Sequence, residues 1–182
     1  MRRELREIHQ MSSSLFASNA PPPVPGPRAL VHIYERADRF FIASYDMTRW
    51  SEAGFWIATE RVTVLESTTA DATLGAAVLA ALTTCQVEVP VPPRGTKLEA
   101  ALFRAMGVRS NRAAMLGTVA CMVTRHFPDD SLRIEPQRNG GPTGKDRGYS
   151  PIPGCVVELP AGADAADTGR AVRMALAHTI AF

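Results

Sequence analysis

Two stretches of the chain decide its fold, because they resemble one another at a constant spacing. They are GFWIATERVTVLESTTADATLGAAVLAAL at residues 54–82 and GYSPIPGCVVELPAGADAADTGRAVRMAL at residues 148–176. A shift of 94 positions aligns them with identical residues at nine of 29 positions, among them Gly75 with Gly169. Each stretch reads as a turn, a strand and a helix. We interpret the similarity as an internal duplication, against the alternative of chance similarity between two Ala-rich helices.

The surrounding pattern predicts further strands and helices. Extended residues at 30–34 and 40–45 predict a hairpin, and those at 119–127 and 132–136 flank a turn. Helical spacing covers 70–84 and 165–177, with Thr69 or Asp71 as a cap for the first. Thr96 and Glu99 form a capping box that predicts a third helix, which ends at Gly107, and Ser110 can cap one further turn.

We therefore predict an α/β fold of the α+β type. Its central sheet is expected to be largely antiparallel or mixed, with helices packed mainly on one face, and to be built from two similar strand–helix units. In these units, small residues at Gly75 and Gly169 are expected to let each helix approach its strand closely.

The composition predicts one domain with an N-terminal extension. The chain has 182 residues, of which 46% are hydrophobic, and its 20 Lys and Arg against 18 Asp and Glu give a net charge of +2. That charge resides in residues 1–29, which are basic and Pro-rich, so we expect a flexible extension there and a neutral domain at 30–182. A neutral body argues against direct nucleic-acid binding. Three cysteines without C-x-x-C spacing indicate reduced thiols and a cytoplasmic protein, and no apolar run is long enough for a membrane span.

The sequence contains no motif that indicates catalytic residues, metal ligands or a cofactor site. GGPTGKD at residues 140–146 lacks the first Gly and the Ser/Thr of a phosphate loop. The four histidines have no metal-ligand spacing with one another or with cysteines. One alternative remains open, in which His126 forms an acid–base pair with Asp129 or Asp130 in a small hydrolase or nuclease.

A protein-binding surface is the other possibility that the residues offer. Trp50 lies between Arg49 and Glu52 in a polar loop, which is typical of an interface anchor, although a loop Trp folded onto the core is equally compatible. Acidic residues in predicted turns or loops could contact a basic partner, or could simply be solvated. The candidate contact residues are Asp46, Trp50, Glu52, Asp129, Asp130 and Asp146.

Five short motifs give the chain a family resemblance. They are GFWIA at 54–58, LG at 74–75, GVRS at 107–110, GYSPI at 148–152 and LP at 159–160. In this order and spacing, residues 30–182 resemble the contact-dependent growth inhibition (CDI) immunity protein family.

The resemblance implies a small cytoplasmic protein without catalytic residues of its own. Such a protein binds the C-terminal toxin domain of a CDI effector, commonly a nuclease that acts on transfer RNA, and blocks its active site. It implies no cofactor, no direct nucleic-acid partner and no membrane partner. The alternatives are the small enzyme described above and a scaffold protein that recruits partners through its Pro-rich tail.

Overall fold

The computed structural model describes residues 26–49 and 54–181, so the predicted extension up to residue 25 and the candidate contacts Trp50 and Glu52 lie outside the described residues. Within these ranges the secondary structure agrees closely with the sequence pattern. The elements are β1 (Gly26–Arg36), β2 (Arg39–Met47), β3 (Trp56–Glu66), α1 (Asp71–Thr84), α2 (Ala100–Met106), α3 (Asn111–Met115), β4 (Val119–Phe127), β5 (Leu132–Asn139), β6 (Tyr149–Pro151), β7 (Val157–Leu159) and α4 (Ala165–Ala177).

All seven strands form one antiparallel sheet, in the order β3-β2-β1-β4-β5, and both β6 and β7 then pair with β5. The predicted hairpin is present, with a two-residue turn at Ala37 and Asp38 between β1 and β2. The predicted fold class is therefore confirmed.

The main core lies between one face of the sheet and the two longer helices. Alternate residues of the central strands, such as Ile33, Ile42 and Val123, are fully buried on this face. Helices α1 and α4 cover them with Leu74, Val78, Val172 and their neighbours, and they also pack against each other. Successive strand residues point to opposite faces of the sheet, and the buried residues of each long helix recur every three to four positions, so both kinds of element present apolar side chains to this layer.

The duplication is visible in the whole topology. A shift of 94 residues places β1 on β4, β2 on β5, β3 on the combined span of β6 and β7, and α1 on α4. Leu30 pairs with Thr124, which is its own equivalent under this shift, so an approximate twofold axis passes between the two central strands. The two strand–helix units are therefore related by this axis and share one sheet and one core.

The two glycines lie where the equivalent helices cross, rather than between a helix and a strand as expected. A Cβ atom on Gly75 would be 1.8 Å from the carbonyl oxygen of Ala165, and one on Gly169 would be 1.9 Å from that of Asp71. These contacts are equivalent under the 94-residue shift. Only glycine fits at both positions, because the opposing atoms belong to the other helix's backbone.

The two short helices form a second layer on the opposite face of the sheet. Leu102 and Met106 of α2 and Ala114 of α3 pack with Tyr34, Phe41 and Ala43 of the central strands. The predicted stop at Gly107 is confirmed by its left-handed backbone, and the Ser110 side chain caps α3 by accepting the N–H of Ala113 at 3.2 Å. The capping-box prediction was wrong. Helix α2 begins at Ala100, and the Thr96 hydroxyl donates to the carbonyl of Pro93 at 2.7 Å instead.

Candidate functional site

A cleft of about 820 Å³ lies between β3 and the chain segment that contains α2 and α3, and we call it the β3–α2 cleft. Its floor is aromatic and apolar, and its rim is charged. Tyr45, Trp56, Ala58, Leu98, Ala100, Phe103 and Val108 supply the floor and walls, and Thr96, Lys97, Glu99, Arg104, Arg109, Ser110 and Asn111 supply the rest. Concave apolar surfaces with a few polar groups at their edge are typical of binding sites.

Local hydrogen bonds hold the wall of the cleft in place. Gly107 takes a left-handed conformation and donates its N–H to the carbonyl of Arg104 at 3.1 Å, which turns the chain from α2 towards α3. The Arg104 guanidinium also donates to the Glu60 carboxylate on β3, which ties the wall to the sheet. Both partners of this ion pair are largely exposed, so it orients the wall more than it stabilises the fold.

A cluster of tyrosines and one histidine lies behind the cleft, and Tyr45 belongs to both. The hydroxyls of Tyr34 and Tyr45 are 3.1 Å apart, and Nδ1 of His32 is 3.1 Å from the Tyr34 hydroxyl. Tyr149 packs edge-on against Tyr34, with ring centroids 5.5 Å apart. These contacts fix the Tyr45 ring that forms part of the cleft floor.

Burial perturbs the ionisation of this cluster. Desolvation lowers the pKa of His32 to about 4, so its imidazole is neutral near pH 7. Desolvation raises the pKa of Tyr45 to about 12 and raises that of Tyr34 well above its ordinary value. Glu99, at the edge of the cleft, has a raised carboxyl pKa because its charged form is also partly desolvated. The cluster is therefore uncharged at neutral pH, and its hydrogen bonds serve to position the rings.

The wall of the cleft is the most basic part of the described chain. Residues 94–112 contain one carboxylate, Glu99, and five cations, namely Arg94, Lys97, Arg104, Arg109 and Arg112. Only Arg104 among these cations forms an ion pair with a residue that the structure describes. This local excess of positive charge can be counted in the sequence, but the net charge of residues 30–182 as a whole is zero and does not show it.

The four acidic contact candidates that lie within the described residues do not form one patch. Asp46 lies in β2 rather than in a loop, is 8% exposed, pairs with Arg61 and accepts the N–H of Gln86 at 2.8 Å. Asp129 and Asp130 are exposed in the β4–β5 turn at the same end of the sheet, whereas Asp146 is exposed in the loop between β5 and β6 at the opposite end. Asp46 is thus engaged in holding the fold, and Asp146 lies far from the adjacent pair Asp129 and Asp130.

No side-chain hydrogen bond among the described residues joins His126 to either aspartate of the turn, although the Asp130 N–H donates to the His126 carbonyl at 3.0 Å. Nε2 of His126 is 2.9 Å from the Thr124 hydroxyl. The Asp129 carboxylate accepts the N–H and the hydroxyl of Ser131 at 3.2 and 2.9 Å, and these bonds lower its pKa. Asp129 therefore serves the turn rather than orienting an imidazole.

Across residues 26–49 and 54–181, no group of three or more His, Cys, Asp or Glu side chains is placed to hold a metal ion. Among the same residues, no helix is both long enough and apolar enough to cross a membrane.

Comparison with solved structures shows that other proteins have a similar fold. Among them are two that each cover more than four-fifths of this chain. One is a protein of unknown function from Neisseria meningitidis, with a TM-score of 0.65 and 18% identity over 83% of this chain and 94% of that chain. The other belongs to the CdiA-CT/CdiI toxin and immunity complex from Yersinia pseudotuberculosis, with a TM-score of 0.59 and 15% identity over 82% of this chain and 95% of that chain.

The sequence comparisons give one further match. No curated protein matches the chain. The family model described as CDI immunity protein matches residues 91–179, a range that includes the α2–α3 wall of the cleft. Together with the shared fold, this match confirms the resemblance of the chain to the CDI immunity protein family.

Proposed function

We propose that this protein is an immunity protein that binds the C-terminal toxin domain of a CDI effector in the cytoplasm and blocks the toxin's active site. The observation that carries the proposal is the family match over residues 91–179. The shared fold with a chain of a toxin and immunity complex supports it. The toxin is expected to be a nuclease that acts on transfer RNA.

The mechanism expected of such a protein is occlusion rather than catalysis. An inhibitor needs a rigid surface that keeps substrate away from the toxin and dissociates slowly. The antiparallel sheet, with helices on both faces, provides a rigid frame for such a surface. The β3–α2 cleft, with a volume of about 820 Å³, is a concave part of that frame.

The proposal is tested by rescue of growth. The toxin domain encoded immediately upstream of this gene is expressed from an inducible promoter in a sensitive host, with this protein or with an unrelated immunity protein as the control. We expect survival only with this protein, and intact transfer RNA on a denaturing gel when it is present. Equal killing in both cultures, together with failure to copurify, would refute the proposal.

The nuclease assignment has its own readout in the same cultures. If this protein rescues growth but transfer RNA is intact in cells killed by the toxin, the immunity function stands and the nuclease assignment is wrong.

A further inference from the structure

We infer that the β3–α2 cleft is the surface that binds the toxin, and that its occupant is an acidic segment of the toxin that inserts an aromatic or branched aliphatic side chain. This inference rests on the proposed function and deepens it. It replaces the expectation of an acidic contact surface with a basic one.

The shape and chemistry of the cleft floor favour the binding of an apolar side chain from a partner. Trp56, Phe103 and Val108 are partly exposed, although an apolar side chain of this size gains most from full burial. Aromatic residues that line a concave site are the residue type most enriched at binding hot spots. A side chain of the partner that enters the cleft would complete the burial of these residues.

The floor and the opposite wall of the cleft are preorganised. Tyr45 is held by the Tyr34 hydroxyl at 3.1 Å, and its ring lies 4.8 Å from that of His32. The opposite wall is fixed by the Arg104–Glu60 ion pair and by the turn at Gly107. A site whose walls are already ordered loses little conformational entropy on binding, which favours affinity.

The positive charge around the cleft favours an acidic partner. Lys97 and Arg109 line the cleft, are exposed, and form no ion pair with any residue that the structure describes. Arg94 and Arg112 flank the same segment and are also exposed without an ion pair inside the described ranges. The single carboxylate in this segment, Glu99, cannot balance them. The complementary partner surface therefore carries Asp or Glu around its apolar side chain.

The test is a charge reversal at the rim with a matched control. Lys97→Glu with Arg109→Glu changes two exposed cations that have no ion pair in the described structure. Lys145→Glu with Arg147→Glu makes the same change in charge and residue type at exposed positions in the loop between β5 and β6. Both double variants should unfold at the same temperature as the wild type, because surface changes of this kind have little effect on stability.

Binding to the purified toxin domain is then measured by biolayer interferometry at several NaCl concentrations. We expect the cleft variant to bind at least about tenfold more weakly, mainly through a slower association rate, and to lose most of its salt dependence. The control is expected to bind like the wild type. Ala58→Phe, which fills the floor, is expected to weaken binding without changing the salt dependence.

The outcomes separate the two proposals. If the wild type rescues growth and binds the toxin, but the cleft variants bind as tightly as the control, the cleft proposal is overturned and the immunity function stands. If the loop control alone loses binding, the contact lies near Asp146 and the cleft proposal is likewise overturned. If the wild type binds transfer RNA rather than the toxin, and the cleft variant loses that binding, the surface is a nucleic-acid site and both proposals fail.

Discussion

Replacing Gly75 with Ala should destabilise the fold strongly, although the same change usually stabilises a helix. In an exposed helix interior, Gly→Ala gains about 1 kcal/mol. Here the new Cβ would lie 1.8 Å from the carbonyl oxygen of Ala165 and 2.7 Å from the backbone nitrogen of Gly169, whereas an ordinary contact is about 3.5 Å. Neither opposing atom belongs to a flexible side chain, so helices α1 and α4 must move apart by more than about 1 Å.

That movement reduces the packing of both helices on the sheet. Leu74, Val78 and Val172 are fully buried beneath the crossing and would lose contacts together. Overpacking a well-filled core costs about 1–3 kcal/mol, and the loss of packing adds to this, so we expect a net loss of about 2–4 kcal/mol after the gain in helix propensity. With a urea slope of about 2 kcal/mol/M, the unfolding midpoint would fall by about 1–2 M.

The assay is urea unfolding followed by circular dichroism on four variants. Gly75→Ala and Gly169→Ala should behave alike, because their contacts are equivalent. The double variant should lose less than the sum of the two, since one Cβ already separates the helices. Ala76→Gly, at the exposed neighbouring position on α1, is the control and should lose only about 1 kcal/mol from helix propensity. Single glycine variants as stable as the wild type would refute the described crossing.

Three further predictions follow from individual contacts. Burial lowers the pKa of His32 to about 4 from an ordinary 6.5, so the unfolded state binds a proton more readily than the folded state. The free energy of unfolding should therefore fall by up to about 3 kcal/mol as the pH is lowered from 6.5 to 4. In urea titrations across that range, His32→Gln should remove most of this pH dependence. Asp46→Ala should lower the free energy of unfolding by about 2–3 kcal/mol, because Asp46 is nearly buried and its carboxylate pairs with Arg61 and accepts the N–H of Gln86. If the variant instead lost toxin binding with unchanged stability, Asp46 would be a direct contact. Arg173→Lys should lower the free energy of unfolding by about 1–3 kcal/mol in thermal or urea unfolding. The Arg173 guanidinium donates to Asp71 at 2.7 Å, to the Ser67 carbonyl at 2.9 Å and to the Thr69 carbonyl, and an ammonium group cannot make all three bonds. Wild-type stability in the variant would show that these bonds contribute nothing.

Local patterns predicted most of the fold. The β-branched and aromatic residues of β1 and β2 and the helical spacing of α1 and α4 predicted these strands and helices. The similarity between residues 54–82 and 148–176 predicted the two strand–helix units. The similarity could not predict that Gly75 and Gly169 lie in contact, because two positions 94 residues apart come together only through the twofold arrangement of the sheet.

The candidate site was less predictable because its parts are distant in the sequence. Tyr45 and Trp56 appeared as separate strand residues, and the residues of the opposite wall appeared as a capping box and a short helix. The Thr96–Glu99 pattern was misleading, since Thr96 bonds the preceding Pro93 carbonyl and the helix begins later. The acidic residues were assigned to a partner by their predicted loop positions, but Asp46 lies in a strand and is nearly buried.

The most direct test of the central claim is the binding stoichiometry of the purified protein and its toxin domain. Isothermal titration calorimetry should give one molecule of this protein per toxin domain, with a dissociation constant of about 10⁻⁸ M or lower. The same molar ratio should abolish toxin activity in vitro. The claim would be contradicted if no heat is released at micromolar concentrations and the toxin stays fully active with excess protein present.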